Sequence, residues 1–592
     1  MIQKFDDQKN TQNLEKRLSN LRIEMKFNGL DGYLVPRADF FQGEYVAAPD
    51  ERLAFITGFS GSAGFCCVLK KRAAIFVDGR YRIQVKQEVP NSYEIVHWPE
   101  RKLWEWLKDN ISSGIIGYDP DLHTSSEIEL LESNLRTDNI TFSKTHNLVD
   151  FIWKKRPLYQ NTYISEHKHE YAGKKSLAKC QDVANILVKD DQKQCVLTDP
   201  ESISWLLNIR GKDVPRTPVV QACAVINSNS KVDLFINLNK LNNYSLENLT
   251  HVTIYPFSEF KDHLRTLVGK TRIDYQKTPI SIKDCISDYV FCEDPCILPK
   301  AIKNSIELQG TRKAHLRDAI SIIRFLAWLD SQIPGKFTEI DAVTKLENLR
   351  QLHPDFQDIS FDTIAGSGAN GALPHYRVTS KTNRKIQNGE ILLVDSGAQY
   401  FDGTTDITRS ISIGKPSLEQ KKFYTLVLKG MVSISKLRFP RGLSGRDIDA
   451  LARVPLWNIG HDYDHGTGHG VGVYLSVHEG PQRISRANHE ILREGMIVSN
   501  EPGFYKESSF GIRIENLLIV KKAPSLGNDS KRDMLTFETL SFAPFDRKLI
   551  QKSILNAEEV KWIDKYHKNV LSKIKVPTDD LPWLEKATRP LK

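Results

Sequence analysis

Long apolar runs are missing from this chain of 592 residues. No window reaches the roughly eighteen consecutive apolar residues that a membrane-spanning helix needs. The N-terminal segment Met1–Asp7 is polar and lacks the apolar core of a secretory signal peptide. Low-complexity segments are missing as well. We therefore expect a cytoplasmic protein that has no membrane partner.

Cysteine is sparse, with eight residues in the whole chain and none after Cys296. Several of the cysteines lie in apolar, strand-like runs. The spacing of Cys292 and Cys296 would suit a metal, but no second pair completes a zinc site. The pattern favours buried free thiols in a reducing compartment over disulfides or structural zinc.

A strong excess of one charge is also missing. The 82 Lys and Arg residues face 73 Asp and Glu residues, which gives a net charge of +9, and the two signs are interspersed. A nucleic-acid interface would need its basic residues concentrated on one surface. We therefore expect a solvated, lysine-rich surface and no nucleic-acid partner.

The first part of the chain has helical patterns that alternate with short strand-like runs. Leu14, Leu18, Leu21 and Met25 share one face of a helix that we predict over Leu14–Phe27. The same alternation recurs further along the chain, so the two segments look like a duplicated module. Strands that alternate with helices indicate an α/β fold.

The length predicts about three to four domains, because single cores rarely grow beyond about 300 residues. Two similar domains are expected over 1–153 and 158–305, separated by the polar, proline-ended run KKRP at 154–157. A third domain over 311–545 opens with an amphipathic helix. A helical C-terminal extension, 546–592, is expected to pack back on it.

Five residues within this third domain carry most of the functional signal: Asp395, Asp406, His469, Glu501 and Glu515. Four carboxylates and an imidazole cannot share a buried site unless cations neutralise them. Two divalent ions balance the four negative charges and leave room for one bridging hydroxide, which is the makeup of a two-metal hydrolase. Oxygen ligands with one imidazole favour Mn²⁺, with Co²⁺, Fe²⁺ and Zn²⁺ as alternatives.

Three more histidines, His375, His465 and His478, lie in neighbouring motifs. His465 and His469 are four positions apart, which would put them on one face of a helix. The glycines that flank both residues disfavour a helix. We predict an extended strand or loop here, where the backbone can come close to a neighbouring strand.

The motifs around the five residues resemble those of the pita-bread metallopeptidases, a superfamily that includes methionine aminopeptidase, prolidase, creatinase and aminopeptidase P. They read ILLVDSG, DGTTDITR, HGTGHGVG, NEPG and GIRIEN, starting at positions 391, 402, 465, 500 and 511. The runs GFSGSAG at 58–64, DGRY at 78–81 and the segment 205–215 resemble creatinase-type N-terminal domains. Two such domains in tandem are typical of the large, three-domain cytosolic aminopeptidase P group. The implied fold is α/β multidomain, with an α+β pita-bread catalytic domain last.

The resemblance also implies the roles of the metal ligands. Asp395, Asp406 and Glu515 would hold one ion. Asp406, His469, Glu501 and Glu515 would hold the other, so that Asp406 and Glu515 bridge the pair. Glu501 would also pass a proton from water to the leaving nitrogen.

The three further histidines are implied to surround the substrate. His375 and His465 would bind it, and His478 would stabilise the oxyanion of the tetrahedral intermediate. Asp402 belongs to a turn in the family pattern, and we interpret it as structural.

The implied activity is that of a metalloexopeptidase, an Xaa-Pro aminopeptidase, which releases the first residue of peptides that have proline second. Prolidase activity on Xaa-Pro dipeptides is the alternative. Non-catalytic pita-bread proteins have lost ligands, whereas all five are present here. A homodimer is expected, and two interpretations of Trp457 stay open: a residue of the domain core, or a contact with the partner subunit.

Overall fold

The computed structural model describes residues 3–5, 13–160, 162–241, 249–527 and 532–591. Apart from residues 3–5, the polar segment Met1–Asp7 lies outside this described part. The chain forms two compact units, of which one comprises Gln8–His169 and Lys174–Ile297. The other comprises Met1–Asp7, Glu170–Gly173 and Leu298–Lys592. Within the described ranges, no helix is both long and apolar enough to span a membrane.

Two six-stranded sheets of the same design form the first unit. In spatial order, one contains Glu94–His97, Ala73–Val77, Phe65–Leu69, Gly32–Pro36, Gly114–Tyr118 and Ile140–Lys144. The other contains Val252–Pro256, Val232–Ile236, Cys223–Asn227, Gln194–Leu197, Thr271–Ile273 and Tyr289–Phe291. In each sheet the successive pairings are parallel, antiparallel, antiparallel, parallel and parallel. This identity of order and direction confirms the predicted duplication.

Amphipathic helices cover these sheets. The helix Leu14–Phe27 has the predicted bounds, and its four predicted apolar residues are buried. The other main helices of this unit are Arg52–Thr57, Gln84–Glu88, Leu103–Asn110, Ser125–Asn134, Leu148–Ile152, Ser176–Lys189, Pro200–Leu207, Phe260–Arg265 and Ile280–Lys283. All eight cysteines of the chain are free thiols and six are buried, as predicted.

The second unit is built from helices around several antiparallel sheets. Its main helices are Ser305–Asp330, Glu339–Gln351, Leu418–Ser435, Gly445–Trp457, Ala557–Lys573 and Leu581–Ala587. One six-stranded sheet contains, in spatial order, Arg438–Pro440, Met534–Thr539, Asn516–Lys522, Ile497–Asn500, Gly468–Gly470 and Glu479–Ile484. Two three-stranded sheets contain Phe356–Ile359, Ala398–Tyr400 and Gly403–Thr404, and Ile364–Ser367, Ile391–Ser396 and Ile407–Ser412. A separate hairpin pairs Gly503–Lys506 with Phe510–Arg513.

The core of this unit draws on distant parts of the chain. Ile323 of the opening helix is buried with Ile563, Tyr566 and Val570 of the helix Ala557–Lys573. The helix Ala557–Lys573 of the C-terminal extension therefore packs back on the core of this unit, as expected. Near the start of the unit, the ring of Tyr171 stacks on Phe401 at a centroid distance of 5.9 Å.

Trp457 does not lie in the core. It is the last residue of the helix Gly445–Trp457 and is 41% exposed. The guanidinium of Arg486 lies 5.5 Å from the centre of its ring. The interpretation of Trp457 as a core residue was therefore wrong, because the helix turns this apolar side chain outward.

Candidate metal centre

Asp395 and Asp406 are brought together by two paired strands. Residues 391–394 are apolar and buried, so the strand Ile391–Ser396 forms in the interior and carries Asp395 near its end. It pairs antiparallel with Ile407–Ser412, which places Asp395 opposite Thr408. Asp406 directly precedes that second strand. The two carboxylates consequently lie at the same end of one sheet.

His469 lies in the middle of the short strand Gly468–Gly470. This confirms the extended conformation predicted from its glycine neighbours. A Cβ on Gly468 would lie 1.9 Å from the carbonyl oxygen of Ser499, so only glycine permits this close strand approach. The approach allows His469 N to donate to Ser499 Oγ at 2.9 Å.

One ring nitrogen of the His469 imidazole faces carboxylates. His469 Nδ1 lies 2.8 Å from Gly470 O, and since a carbonyl only accepts, Nδ1 carries the proton. The other ring nitrogen, Nε2, lies 3.3 Å from Glu501 Oε1 and 3.5 Å from Asp406 Oδ2. A ligand-competent nitrogen thus faces two acids, which is how histidine binds a metal ion.

Glu515 reaches the cluster from just before the strand Asn516–Lys522. Its backbone N–H donates to Thr408 O at 3.1 Å, and Thr408 Oγ1 donates to Glu515 Oε2 at 2.8 Å. One atom each from Asp406, His469 and Glu515 lie within 4.8 Å of one another. This spacing suits a shared cation.

The cluster is buried and rich in negative charge. Asp395, Asp406, His469 and Glu515 are each between 1% and 9% exposed. Asp395 Oδ1, Asp406 Oδ1 and Glu515 Oε1 are buried and receive no hydrogen bond. Buried carboxylate oxygens without a donor are costly unless a cation takes the donor's place.

The raised pKa values of two of these acids indicate the same need for positive charge. Burial, followed by the charges of Asp395 and Glu501, raises the pKa of Asp406 well above its ordinary value. Burial, followed by the charge of Asp406, likewise raises the pKa of Glu515. Like charges in a low-dielectric site favour protons or metal ions. The donor set, four carboxylates and one imidazole, fits divalent ions that prefer oxygen ligands.

Arg513 is a residue of the site for which no role was predicted from the sequence. Its buried guanidinium donates to Asp395 Oδ2 at 2.6 Å through Nη2 and to the Tyr505 hydroxyl at 2.7 Å through Nη1. The signal was its position two residues before Glu515.

His465 joins this network through Tyr505. Burial raises the pKa of Tyr505 to about 12, so its hydroxyl is neutral. The hydroxyl accepts from Arg513 and is hydrogen-bonded to His465 Nε2 at 2.9 Å, while His465 Nδ1 donates to Gly466 O at 2.8 Å. The ring of His465 is therefore held at both of its nitrogens.

The other two histidines, His478 and His375, have different neighbours. The His478 ring packs edge-on against the His469 ring, with centroids 4.3 Å apart. His375 is half-buried in the loop that follows the 3-10 turn Gly368–Ala372. That turn packs on the strand Phe510–Arg513, since a Cβ on Gly511 would lie 1.7 Å from Gly371 O.

Asp402 lies outside the cluster despite its place in the same motif as Asp406. Both of its oxygens accept from Arg317, at 2.8 and 3.1 Å. A bidentate ion pair of this kind satisfies the carboxylate without metal. The observed contacts agree with the structural interpretation of Asp402.

Comparison with known families gives four successive matches along the chain. The creatinase/prolidase N-terminal domain matches 17–152 and again 155–307. Metallopeptidase family M24 matches 309–522, and the C-terminal region of peptidase M24 matches 533–591. These matches confirm the predicted fold class of two creatinase-type domains followed by a pita-bread catalytic domain.

Whole-length relatives give the same result. Xaa-Pro aminopeptidase 1 from Dictyostelium discoideum is 37% identical over 599 residues, covering 97% of this chain and 94% of that protein. The chain belongs to metallopeptidase family M24. Its resemblance to the pita-bread metallopeptidases is thereby confirmed, and it is a metal-binding hydrolase of the aminopeptidase type.

Solved M24 structures differ in how much of the chain they match. X-prolyl aminopeptidase from Caenorhabditis elegans, described as a cytosolic enzyme with a di-nuclear active site, has a TM-score of 0.94 and 31% identity. The match covers 98% of this chain and 100% of that one. A prolidase from Thermococcus sibiricus has a TM-score of 0.50 and 25% identity, and covers 62% of this chain and 97% of its own. The likeness to the aminopeptidase therefore spans more of this M24 chain than the likeness to the Thermococcus sibiricus prolidase does.

Proposed function

We propose that this M24 protein is an Xaa-Pro aminopeptidase that releases the N-terminal residue from peptides with proline in second position. The observation that carries the proposal is the likeness over 98% of the chain to an X-prolyl aminopeptidase with a di-nuclear active site. The buried cluster of four acids and His469 supplies the matching chemistry. A prolidase is favoured less, because that match covers 62% of the chain.

Two divalent ions, with Mn²⁺ favoured, would be held by the residues of the cluster. Asp395, Asp406 and Glu515 would bind one, and Asp406, His469, Glu501 and Glu515 the other. Bound divalent ions supply Lewis acidity that polarises a peptide carbonyl and acidifies water. The protonated Nδ1 of His469 fixes its tautomer, so that Nε2 is kept available as a ligand.

Glu501 is the proposed proton carrier. Ser499 Oγ donates to Glu501 Oε1 at 3.0 Å, which orients the carboxylate beside His469. Glu501 takes a proton from the attacking water and delivers it to the leaving nitrogen of proline. That nitrogen belongs to a tertiary amide without an N–H. Like any amide nitrogen, it leaves once it is protonated.

The three histidines are proposed to hold the substrate. His478, packed edge-on against His469, would donate to the developing oxyanion. His375 and His465 would contact the bound peptide. The hydrogen bond between Tyr505 OH and His465 Nε2 fixes the orientation of the His465 ring.

The substrate assignment predicts how peptide length affects turnover. An aminopeptidase of this type is expected to cleave Xaa-Pro-Xaa tripeptides and longer peptides at least as fast as Xaa-Pro dipeptides. Hydrolysis of matched di-, tri- and pentapeptides, followed by release of the first amino acid in Mn²⁺-loaded protein, measures this. Peptides with alanine in second position serve as the control. Cleavage of the dipeptide alone would identify a prolidase.

Subunit pairing is proposed from an exposed apolar stripe. Leu451, Val454 and Trp457 recur at intervals of three along the helix Gly445–Trp457, and each is about two-fifths exposed. A row of this kind on a helix favours contact with a second copy. The proposal therefore includes a homodimer in the cytoplasm. It also includes the division of the chain into domains over 1–153, 158–305 and 311–545 and a C-terminal extension over 546–592.

A charge placed in this stripe is expected to separate the dimer. The wild-type protein should have twice the 67.5 kDa mass of one chain in light scattering, and Val454→Asp should shift the mass toward one chain. Leu418→Asp is the matched control, because Leu418 is 78% exposed and begins another helix of the same unit. A wild-type mass near that of one chain at micromolar concentration would overturn the dimer.

A further inference from the structure

Arg409 is a buried arginine that holds the backbone of a proposed metal ligand. It is 3% exposed and lies in the strand Ile407–Ser412, close behind Asp406. Through Nη1 it donates to Glu515 O at 2.6 Å and to Thr408 O at 2.9 Å. One guanidinium nitrogen therefore ties the strand that follows Asp406 to the peptide group of Glu515.

Both the backbone and the side chain of Glu515 are held by the strand Ile407–Ser412. Its N–H donates to Thr408 O and its carboxylate accepts from Thr408 Oγ1, while its carbonyl accepts from Arg409. These contacts leave the residue little freedom to move. Arg409 thus holds the backbone from which the Glu515 carboxylate extends, and the Oε1 atom of that carboxylate receives no hydrogen bond.

The other side of the Arg409 guanidinium is fixed by the C-terminal region. Nη2 donates to Tyr566 OH at 2.8 Å, to Ala543 O at 2.8 Å and to Asn516 Oδ1 at 2.9 Å. The Phe545 ring lies 4.9 Å from the centre of the guanidinium. Each acceptor is an uncharged oxygen, so geometry rather than an ion pair sets the orientation of Arg409.

Tyr566 is itself held in one position. It lies in the helix Ala557–Lys573 and is 3% exposed. Its hydroxyl accepts from Ala543 N at 3.2 Å and lies 3.0 Å from Ser541 O. Burial raises the pKa of Tyr566, which keeps the hydroxyl neutral. The helix Ala557–Lys573 is thus linked to Glu515, a proposed metal ligand, through the side chains of Tyr566 and Arg409.

We propose that Arg409 and Tyr566 are positioning residues for the metal centre. Through them the helix Ala557–Lys573 sets the placement of Glu515. Neither would touch metal or substrate. The inference rests on the metal site proposed above. A planar guanidinium can bridge several acceptors at fixed angles, which a lysine ammonium on its flexible stem does not reproduce.

Metal affinity tests this directly. Metal-free wild type, Tyr566→Phe, Arg409→Lys and Arg409→Gln would each be titrated with Mn²⁺ alone by calorimetry. Residues that orient metal ligands typically change affinity about 10–100-fold. We expect Arg409→Gln to fall in that range, and Tyr566→Phe to weaken binding about tenfold. Arg409→Lys keeps the positive charge but loses the planar guanidinium, and its Mn²⁺ affinity is expected to stay below that of the wild type.

Tyr424→Phe is the matched control. Tyr424 is a fully buried tyrosine of the same core, and its hydroxyl accepts from Asp546 N at 3.1 Å. Metal-free Tyr424→Phe and Tyr566→Phe should melt at similarly lowered temperatures, whereas only Tyr566→Phe should lose Mn²⁺ affinity. If Arg409→Gln fails to fold, Tyr566→Phe and Arg409→Lys still decide the question.

Two results would overturn the inference. Wild-type affinity in both Tyr566→Phe and Arg409→Lys would show that the links merely support the fold. Absence of Mn²⁺ binding by the wild-type protein would remove the proposed metal site as well. The first result leaves the proposed function intact, so the two failures are distinguishable.

Discussion

We expect Asp406→Asn to abolish hydrolysis of Xaa-Pro peptides and to release most of the bound metal. Asp406 is buried, its Oδ1 has no hydrogen-bond donor, and its Oδ2 lies 3.5 Å from His469 Nε2. As a proposed bridge it serves both ions, and an amide cannot replace its negative charge. The loss in kcat/KM should exceed the roughly 100-fold cost of removing a residue that only orients a ligand. Metal content per chain and steady-state kinetics measure both effects.

Two other aspartates serve as controls for this substitution. Asp395→Asn should lose less metal, because Asp395 is proposed to serve one ion and is also held by Arg513. Asp402→Asn should keep its metal, because Asp402 pairs with Arg317 away from the cluster. Equal metal loss in the Asp395 and Asp406 variants would show that the bridging assignment is wrong.

The second large effect is expected at His478. His478→Ala should lower kcat about 10²–10³-fold with a smaller change in KM, because an oxyanion donor strengthens only as negative charge develops. His375→Ala should instead raise KM more strongly, since that residue is proposed to contact the bound peptide. Full kinetics on one Xaa-Pro-Xaa tripeptide separate the two patterns.

The contact between the His478 and His469 rings calls for one further measurement. Their centroids are 4.3 Å apart, so the alanine variant must retain its metal for the kinetic result to report on the oxyanion. His478→Gln keeps a donor at this position and should recover part of the lost kcat. An unchanged kcat in His478→Ala would remove the oxyanion role, and a dominant KM effect would exchange the roles of His478 and His375.

The sequence predicted structure best where a feature depends on residues that are close together in the chain. The apolar run before Asp395 predicts a buried strand, and the glycines around His469 predict a close strand approach. Both features depend on residues within a few positions. Trp457 was harder to place, since apolar size alone indicated burial, while the orientation of its helix turns it to solvent.

The contacts that orient the ligands were not predictable in the same way. Arg513 meets Asp395 and Arg409 meets Tyr566 across more than a hundred residues of chain. Such pairs are created by tertiary packing, and no local pattern or period indicates which arginine will face which acceptor. A single sequence therefore gives the candidate ligands more readily than the hydrogen bonds that hold them in place.

The second compact unit is assembled from separate stretches of chain, and this affects how the protein can be dissected. A fragment beginning at Leu298 would lack Glu170–Gly173, which belongs to the same unit. It would leave the exposed ring of Phe401 without its stacking partner Tyr171, and the amide of Asn304 without the carbonyl of Ala172. A single cut in the chain cannot excise the catalytic half intact. A fragment made for structural work on that half would need the short stretch supplied as a linked segment.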